Sequence, residues 1–128
     1  HVFATVAAAR DGAVAYIRNQ LATGRAVAGW EVDRVTRRQI EEAGFEAEFT
    51  HRTGHNLSPE ALHGDGVCLD DFETHDTRLL LPGVGVTVEP GIYLPDFGVR
   101  SEINVYLGRE GPEVFTQAQD QIVCLPRR

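Results

Sequence analysis

Four of the five histidines crowd into one stretch, at His51, His55, His63 and His75, ahead of two glutamates, Glu89 and Glu102. Imidazole and carboxylate together are donors for divalent cations, so a metal centre is the first chemistry to weigh. His51 and His55 in HRTGH have the four-residue spacing of the HExxH helix, but Arg52 stands where that motif has Glu. Thr53-Gly54 is also poor helix, so the zinc-peptidase helix is rejected. On a strand running into a loop, one histidine of the pair can ligate while the other supports it. The competing reading is bland. Loop histidines are usually surface groups, and two acids screened by Arg100 on a solvated sheet face are worth only ~0–1 kcal/mol. The density of histidines ahead of two facing glutamates is what favours a site.

The glutamates face each other only if the surrounding elements are strands. Val84, Val86 and Val88 alternate with Gly85, Thr87 and Glu89, which has the period of a strand. From Val99 to Leu107 a second strand puts Val99, Ser101, Ile103, Val105 and Leu107 on one face. Arg100, Glu102, Asn104 and Tyr106 take the other. Pro90 forces Glu89 into extended backbone at a strand end, and Gly91, Pro95 and Gly98 turn the chain back. If 84–89 and 99–107 pair as a hairpin, Glu89 and Glu102 share the face opposite the valines.

Upstream, residues 2–22 carry Phe3, Val6, Ala7, Val14, Ile17 and Leu21 near the helical period, with Gly24 as the stop. A second helix over 31–43 turns Val32, Val35, Ile40 and Ala43 inward and Arg34, Arg37, Arg38, Glu41 and Glu42 outward, and Gly44 ends it. Phe45, Ala47 and Phe49 then alternate as a strand running into His51. Residues 54–83 read as loop with a short strand at 66–69, a weaker strand covers 113–115, and 121–125 is apolar. Two helices followed by antiparallel strands make an α+β fold.

Composition limits the rest. The 128 residues suit one domain, and 42% apolar with 24% charged residues excludes disorder. A net charge of −7, from 12 basic and 19 acidic residues, offers no stripe for nucleic acid. No apolar run approaches the ~18–20 residues of a membrane span. Cys68 and Cys124 have no CxxC spacing and read as free thiols of a cytoplasmic protein. No GxGxxG, P-loop or GxSxG motif occurs, and 65–73 lacks the order of a calcium loop. The chain contains no methionine, even at position 1, so either something was removed or the chain is a piece of a longer one.

In order along the chain, HRTGH at 51–55, LPGVGVTVEPG at 81–91, VEPGIY at 88–93 and GVRSEI at 98–103 resemble the pita-bread metallopeptidases. That superfamily holds methionine aminopeptidase, aminopeptidase P and prolidase. GWEVDRVTRRQIEEAGF at 29–45 and QAQDQIV at 117–123 are similar to the aminopeptidase P and prolidase branch. The resemblance implies a centre of two divalent metals held by two aspartates, one histidine and two glutamates. Carried over by motif, the metal ligands are His55, Glu89 and Glu102, with Glu102 bridging and Glu89 also able to take the proton of the attacking water. His51 would contact substrate or support the ligands. His63 is the first candidate for a second catalytic histidine, with His75 the second, and Arg100 would orient Glu102. Mn²⁺ suits such a donor set best, with Co²⁺ or Zn²⁺ as the other options.

The two aspartates belong on strands before the first helix. None of Asp11, Asp33, Asp65, Asp70, Asp71, Asp76, Asp96 or Asp120 has the matching context. The resemblance therefore implies that 1–128 is a single partial catalytic domain, the C-terminal half of a pita-bread fold. Its partners would be the missing N-terminal half and a peptide with proline at the second position, with room for a homodimer. The implied activity is that of an Xaa-Pro aminopeptidase or dipeptidase, the chain alone being inactive. The alternative is an inactive relative that binds a peptide or protein.

Overall fold

The computed structural model describes residues 1–126. Helix α1 spans Val2–Ala22 and α2 spans Gly29–Glu42. Strands follow as β1 (Asn56–Leu57), β2 (Gly85–Val88), β3 (Gly91–Tyr93), β4 (Gly98–Arg100), β5 (Ile103–Gly108) and β6 (Gly111–Val114). Both helices stop in the same way. Gly24 (φ 76°) and Gly44 (φ 87°) adopt the left-handed conformation that L side chains resist. Their N–H groups close on Leu21 and Glu41, while the next residues, Arg25 and Phe45, bond the carbonyls of Gln20 and Ile40. This is a Schellman ending, and behind Gly44 it comes with its usual apolar contact, Phe45 packing in one cluster with Ile40.

Strands β1, β2, β5 and β6 form one antiparallel sheet in that order, and β3 with β4 forms a separate hairpin. The valine face meets the helices. Val86, Val88 and Val105 are fully buried against Ala13, Ile17 and Val32, each side chain contributing roughly 1.5–3 kcal/mol by leaving water. The α+β class, two helices then antiparallel strands, is as the sequence predicts. No helix among the described residues is long and apolar enough to cross a membrane.

Three local expectations are corrected. Residues 45–49 do not form a strand: Glu46–Glu48 is a 3₁₀ turn, Ala47 is exposed, and only Phe49 is buried. Alternation over five residues after a glycine turn cannot distinguish a strand from a turn with one anchored end. Nor does 66–69 form a strand; Leu69 makes a single bridge with Gly54. Finally, the strand expected over 99–107 is split into β4 and β5 at Ser101-Glu102.

The cause of the split is Pro90. Val88 lies opposite Ile103 and Gly91 opposite Arg100, so the register is the same on both sides of the break. Counting inward puts Glu89 opposite Glu102 and Pro90 opposite Ser101. Ser101 donates its N–H to the Pro90 carbonyl at 3.3 Å, but proline has no N–H to return. The ladder is interrupted while the faces persist.

Candidate metal centre

The HRTGH segment lies alongside β2 as an extension of β1. Asn56 is opposite Val86, so His55 is opposite Thr87 and Thr53 opposite Glu89. The backbone confirms this, with Thr87 N–H bonded to the His55 carbonyl at 2.9 Å and Glu89 N–H to the Thr53 carbonyl at 2.7 Å. Gly54 is required by the close approach, since a Cβ there would lie 1.9 Å from the Thr87 carbonyl oxygen. Period two then puts His55, Thr87, Glu89 and Glu102 on one sheet face, opposite the buried valines.

His55 is buried and its Nδ1 lies 2.9 Å from the Asn56 carbonyl. A carbonyl only accepts, so Nδ1 donates there and Nε2 is the nitrogen turned to the sheet face. Nε2 faces Glu89 Oε1 across 3.3 Å. Thr87 sets the carboxylate. Its hydroxyl accepts the His55 N–H at 2.9 Å and donates to Glu89 Oε1 at 2.9 Å. Glu89 Oε2 receives Arg100 at 3.4 Å. An imidazole nitrogen and a carboxylate oxygen thus converge, a pair of atom types that suits a divalent cation when the imidazole is neutral. Glu102 shares the face but is solvent-exposed. Among the described residues no group of three or more His, Cys, Asp or Glu is arranged to hold a metal.

The other expected residues divide. His63 is exposed on the loop after β1, its ring edge-on to His55 at 4.0 Å between centroids. His75 is elsewhere, against Trp30 at 5.0 Å and bonded to Asp71 at 2.6 Å. Of the two candidates, then, only His63 packs on His55. His51 binds the Arg52 carbonyl through Nδ1 at 2.7 Å, and its Nε2 lies 2.7 Å from the Tyr93 hydroxyl. Burial holds the His51 pKa below its ordinary value; the Arg100 and Arg37 charges act the same way, against the Arg52 carbonyl and Glu89. The neutral imidazole is thereby favoured. Arg100 bonds Glu89, its Nε donates to the Tyr93 hydroxyl at 2.6 Å, and the Glu102 charge also acts on it.

Sequence reasoning missed Tyr93 and Asp33. Tyr93 was accessible, because carrying the Glu89 alternation past Pro90 reaches it on the same face. Asp33 is fully buried on α2 and accepts bonds from Thr53 N and Oγ1, at 2.7 and 2.6 Å, and from Asp71 N at 2.9 Å.

Comparison with known proteins bears on the family and the fold. The model for metallopeptidase family M24 matches residues 1–109. An uncharacterized peptidase of Bacillus subtilis, YqhT, is 35% identical over 98 residues, 76% of this chain and 26% of its own. The recombinant prolidase from Thermococcus sibiricus superposes with a TM-score of 0.80 at 28% identity, covering 97% of this chain and 31% of that one. The X-Pro aminopeptidase from Thermotoga maritima gives 0.76 at 30% identity, covering 94% and 31%. The chain thus spans about a quarter of the curated relative and about a third of the solved structures. On the family match, the shared α+β arrangement and the motif order, the chain belongs to metallopeptidase family M24 of the pita-bread superfamily.

Proposed function

We propose that this chain contributes one wall of a metal-dependent exopeptidase site that hydrolyses Xaa-Pro peptides, completed by residues outside positions 1–128. The single observation that carries the reading is the approach of His55 Nε2 to Glu89 Oε1, 3.3 Å apart, with Glu102 in register on the same face. Membership of a metallopeptidase family implies divalent cations. His55, Glu89 and Glu102 would hold them, and one imidazole among carboxylates suits Mn²⁺. When bound, such cations supply Lewis-acid activation of a carbonyl and acidification of water.

The protein's own groups do the remaining work. Glu89 accepts a proton from the attacking water through an oxygen that Arg100 keeps oriented. His63, beside His55, offers a ring N–H to the oxygen that gains charge as the peptide carbonyl is attacked. His51, anchored on both nitrogens, presents a fixed imidazole to the substrate. The prolidase and X-Pro aminopeptidase relatives support proline at the second position, and free Cys68 and Cys124 suit a reducing cytoplasm.

The test is Glu89→Gln in the full-length protein. Hydrolysis of Xaa-Pro peptides is expected to fall by roughly 10²–10⁴-fold, the usual contribution of a general base, with an unchanged circular dichroism spectrum. Wild-type turnover in that variant would sink the assignment. Full-length protein that binds no Mn²⁺, Co²⁺ or Zn²⁺ by calorimetry would leave a peptide-binding module as the better reading.

A further inference from the structure

Residues 49–53 lead into the site without a strand on their outer edge, yet the carbonyls of Phe49 and His51 and the N–H of Thr53 are bonded by side chains of α2. Arg37 of α2 donates to the Phe49 carbonyl at 3.1 Å and to the His51 carbonyl. Asp33, one helical turn earlier, takes the Thr53 N–H at 2.7 Å and the Thr53 hydroxyl at 2.6 Å. The two side chains are themselves paired at 2.7 Å, and Asp33 is fully buried. Residues 49, 51 and 53 are alternate positions, as on the bonding edge of a strand. The i,i+4 spacing on the helix presents acceptor and donor together, in the place a neighbouring strand would take.

We infer that the Asp33–Arg37 pair is a positioning device that fixes the register of segment 49–55 against β2, and so where His55 Nε2 stands relative to Glu89. The inference rests on the metal reading above for its consequence, though not for its mechanics. A buried carboxylate with all its donors in place is costly to disturb, because each partner left unpaired keeps its desolvation penalty. Thr53 is the residue at which the restraint crosses to the site, since its carbonyl receives the Glu89 N–H at 2.7 Å. Slippage at Thr53 would therefore move both donors of the proposed centre. Asp33 acts through Thr53 and touches no reacting atom.

The experiment uses the full-length protein with Asp33→Asn, Thr53→Val and Thr53→Ser. In Asp33→Asn an amide N–H₂ must face Arg37 or the Thr53 and Asp71 donors, so the restraint loses a partner while volume is kept. Amide hydrogen exchange in metal-free protein is expected to quicken at Thr87 and Glu89 by about tenfold or more in Asp33→Asn and Thr53→Val, while Val105 and Leu107 of β5 stay protected. Mn²⁺ affinity, by calorimetry at a temperature where the variants are folded, should fall by about 10–100-fold, the usual effect of losing a group that orients a ligand. Thr53→Ser, which keeps the hydroxyl, should match wild type in both. Unchanged exchange at Thr87 and Glu89, or equal loosening throughout β5, would overturn the inference. If Asp33→Asn does not fold, the Thr53 pair decides. Wild-type protein that binds no Mn²⁺ sinks the metal reading alone, and the exchange data still decide the register.

Discussion

Thr87 is a buried hydroxyl with two obligations, accepting the His55 N–H and donating to Glu89, each at 2.9 Å. Valine has nearly its shape and neither function. Thr87→Val is expected to destabilise the folded protein by about 1–3 kcal/mol, because it strands a buried N–H and removes a donor from a carboxylate. Thr87→Ser should recover most of that loss. The check is thermal unfolding of the full-length protein, and a Thr87→Val melt coincident with wild type would show that neither bond matters. At this scale the sequence is legible where period two applies: it puts Glu89 and Glu102 on a common face, and they are. It is silent on Asp33, whose burial no hydrophobic pattern can announce. The signal that existed was Asp33 four residues before Arg37, flanked on one helix face by Val32 and Thr36, a polar pair inside an apolar surround.

The least regular element is the segment between β1 and β2, and it is held by carboxylates in place of a ladder. Asp70 accepts the N–H groups of Phe72 and Glu73 at 2.9 Å each and of Thr74 at 3.2 Å. Asp76 accepts the Cys68 and Arg78 N–H groups at 2.8 and 3.0 Å and pairs with the Arg78 guanidinium at 2.9 Å. Its own carbonyl takes the Trp30 N–H at the start of α2, at 3.0 Å. Burial pushes the Asp76 pKa up, but the Arg78 side chain and the two backbone donors outweigh it, and the net pKa lies below the ordinary 3.8. A depressed folded pKa means stability that is present above the unfolded value and lost as pH falls through the folded one. Asp76→Asn should therefore melt lower than wild type at pH 7. The gap should close as pH drops below 3.8. A gap that stays constant from pH 7 to pH 2 would place the effect in packing. The same kind of bonding explains the misread strands. At 66–69 and 45–49, the Leu69–Gly54 bridge aside, the bonded backbone groups go to side chains and turns, and alternation reports only which residues are apolar. The break at Pro90 was legible in principle, because a residue without an N–H cannot complete a ladder.

The molecule as a whole is two helices packed on a four-stranded sheet and a separate hairpin, with the candidate donors on the face opposite the buried valines. Much apolar surface is left open. Leu81, Phe97 and Phe115 are exposed, as are Ile122, Val123 and Leu125 at 61%, 72% and 84% of their area. The chain also spans only 31% of the prolidase it superposes on. Two facing donors and an exposed Glu102 make a weak site, since each further oxygen or nitrogen ligand adds affinity and fixes geometry. Residues 1–128 produced alone are thus expected to bind Mn²⁺ at least roughly 10²-fold more weakly than the full-length protein, and to hydrolyse no Xaa-Pro peptide. They should also associate with rising concentration in sedimentation experiments, as apolar patches of this kind do. Calorimetry on the two forms side by side is decisive. Equal Mn²⁺ affinity would mean that this chain carries the whole donor set, and the proposal that ligands come from outside it would fall. A large difference would locate the remaining ligands in the part of the protein these residues do not span.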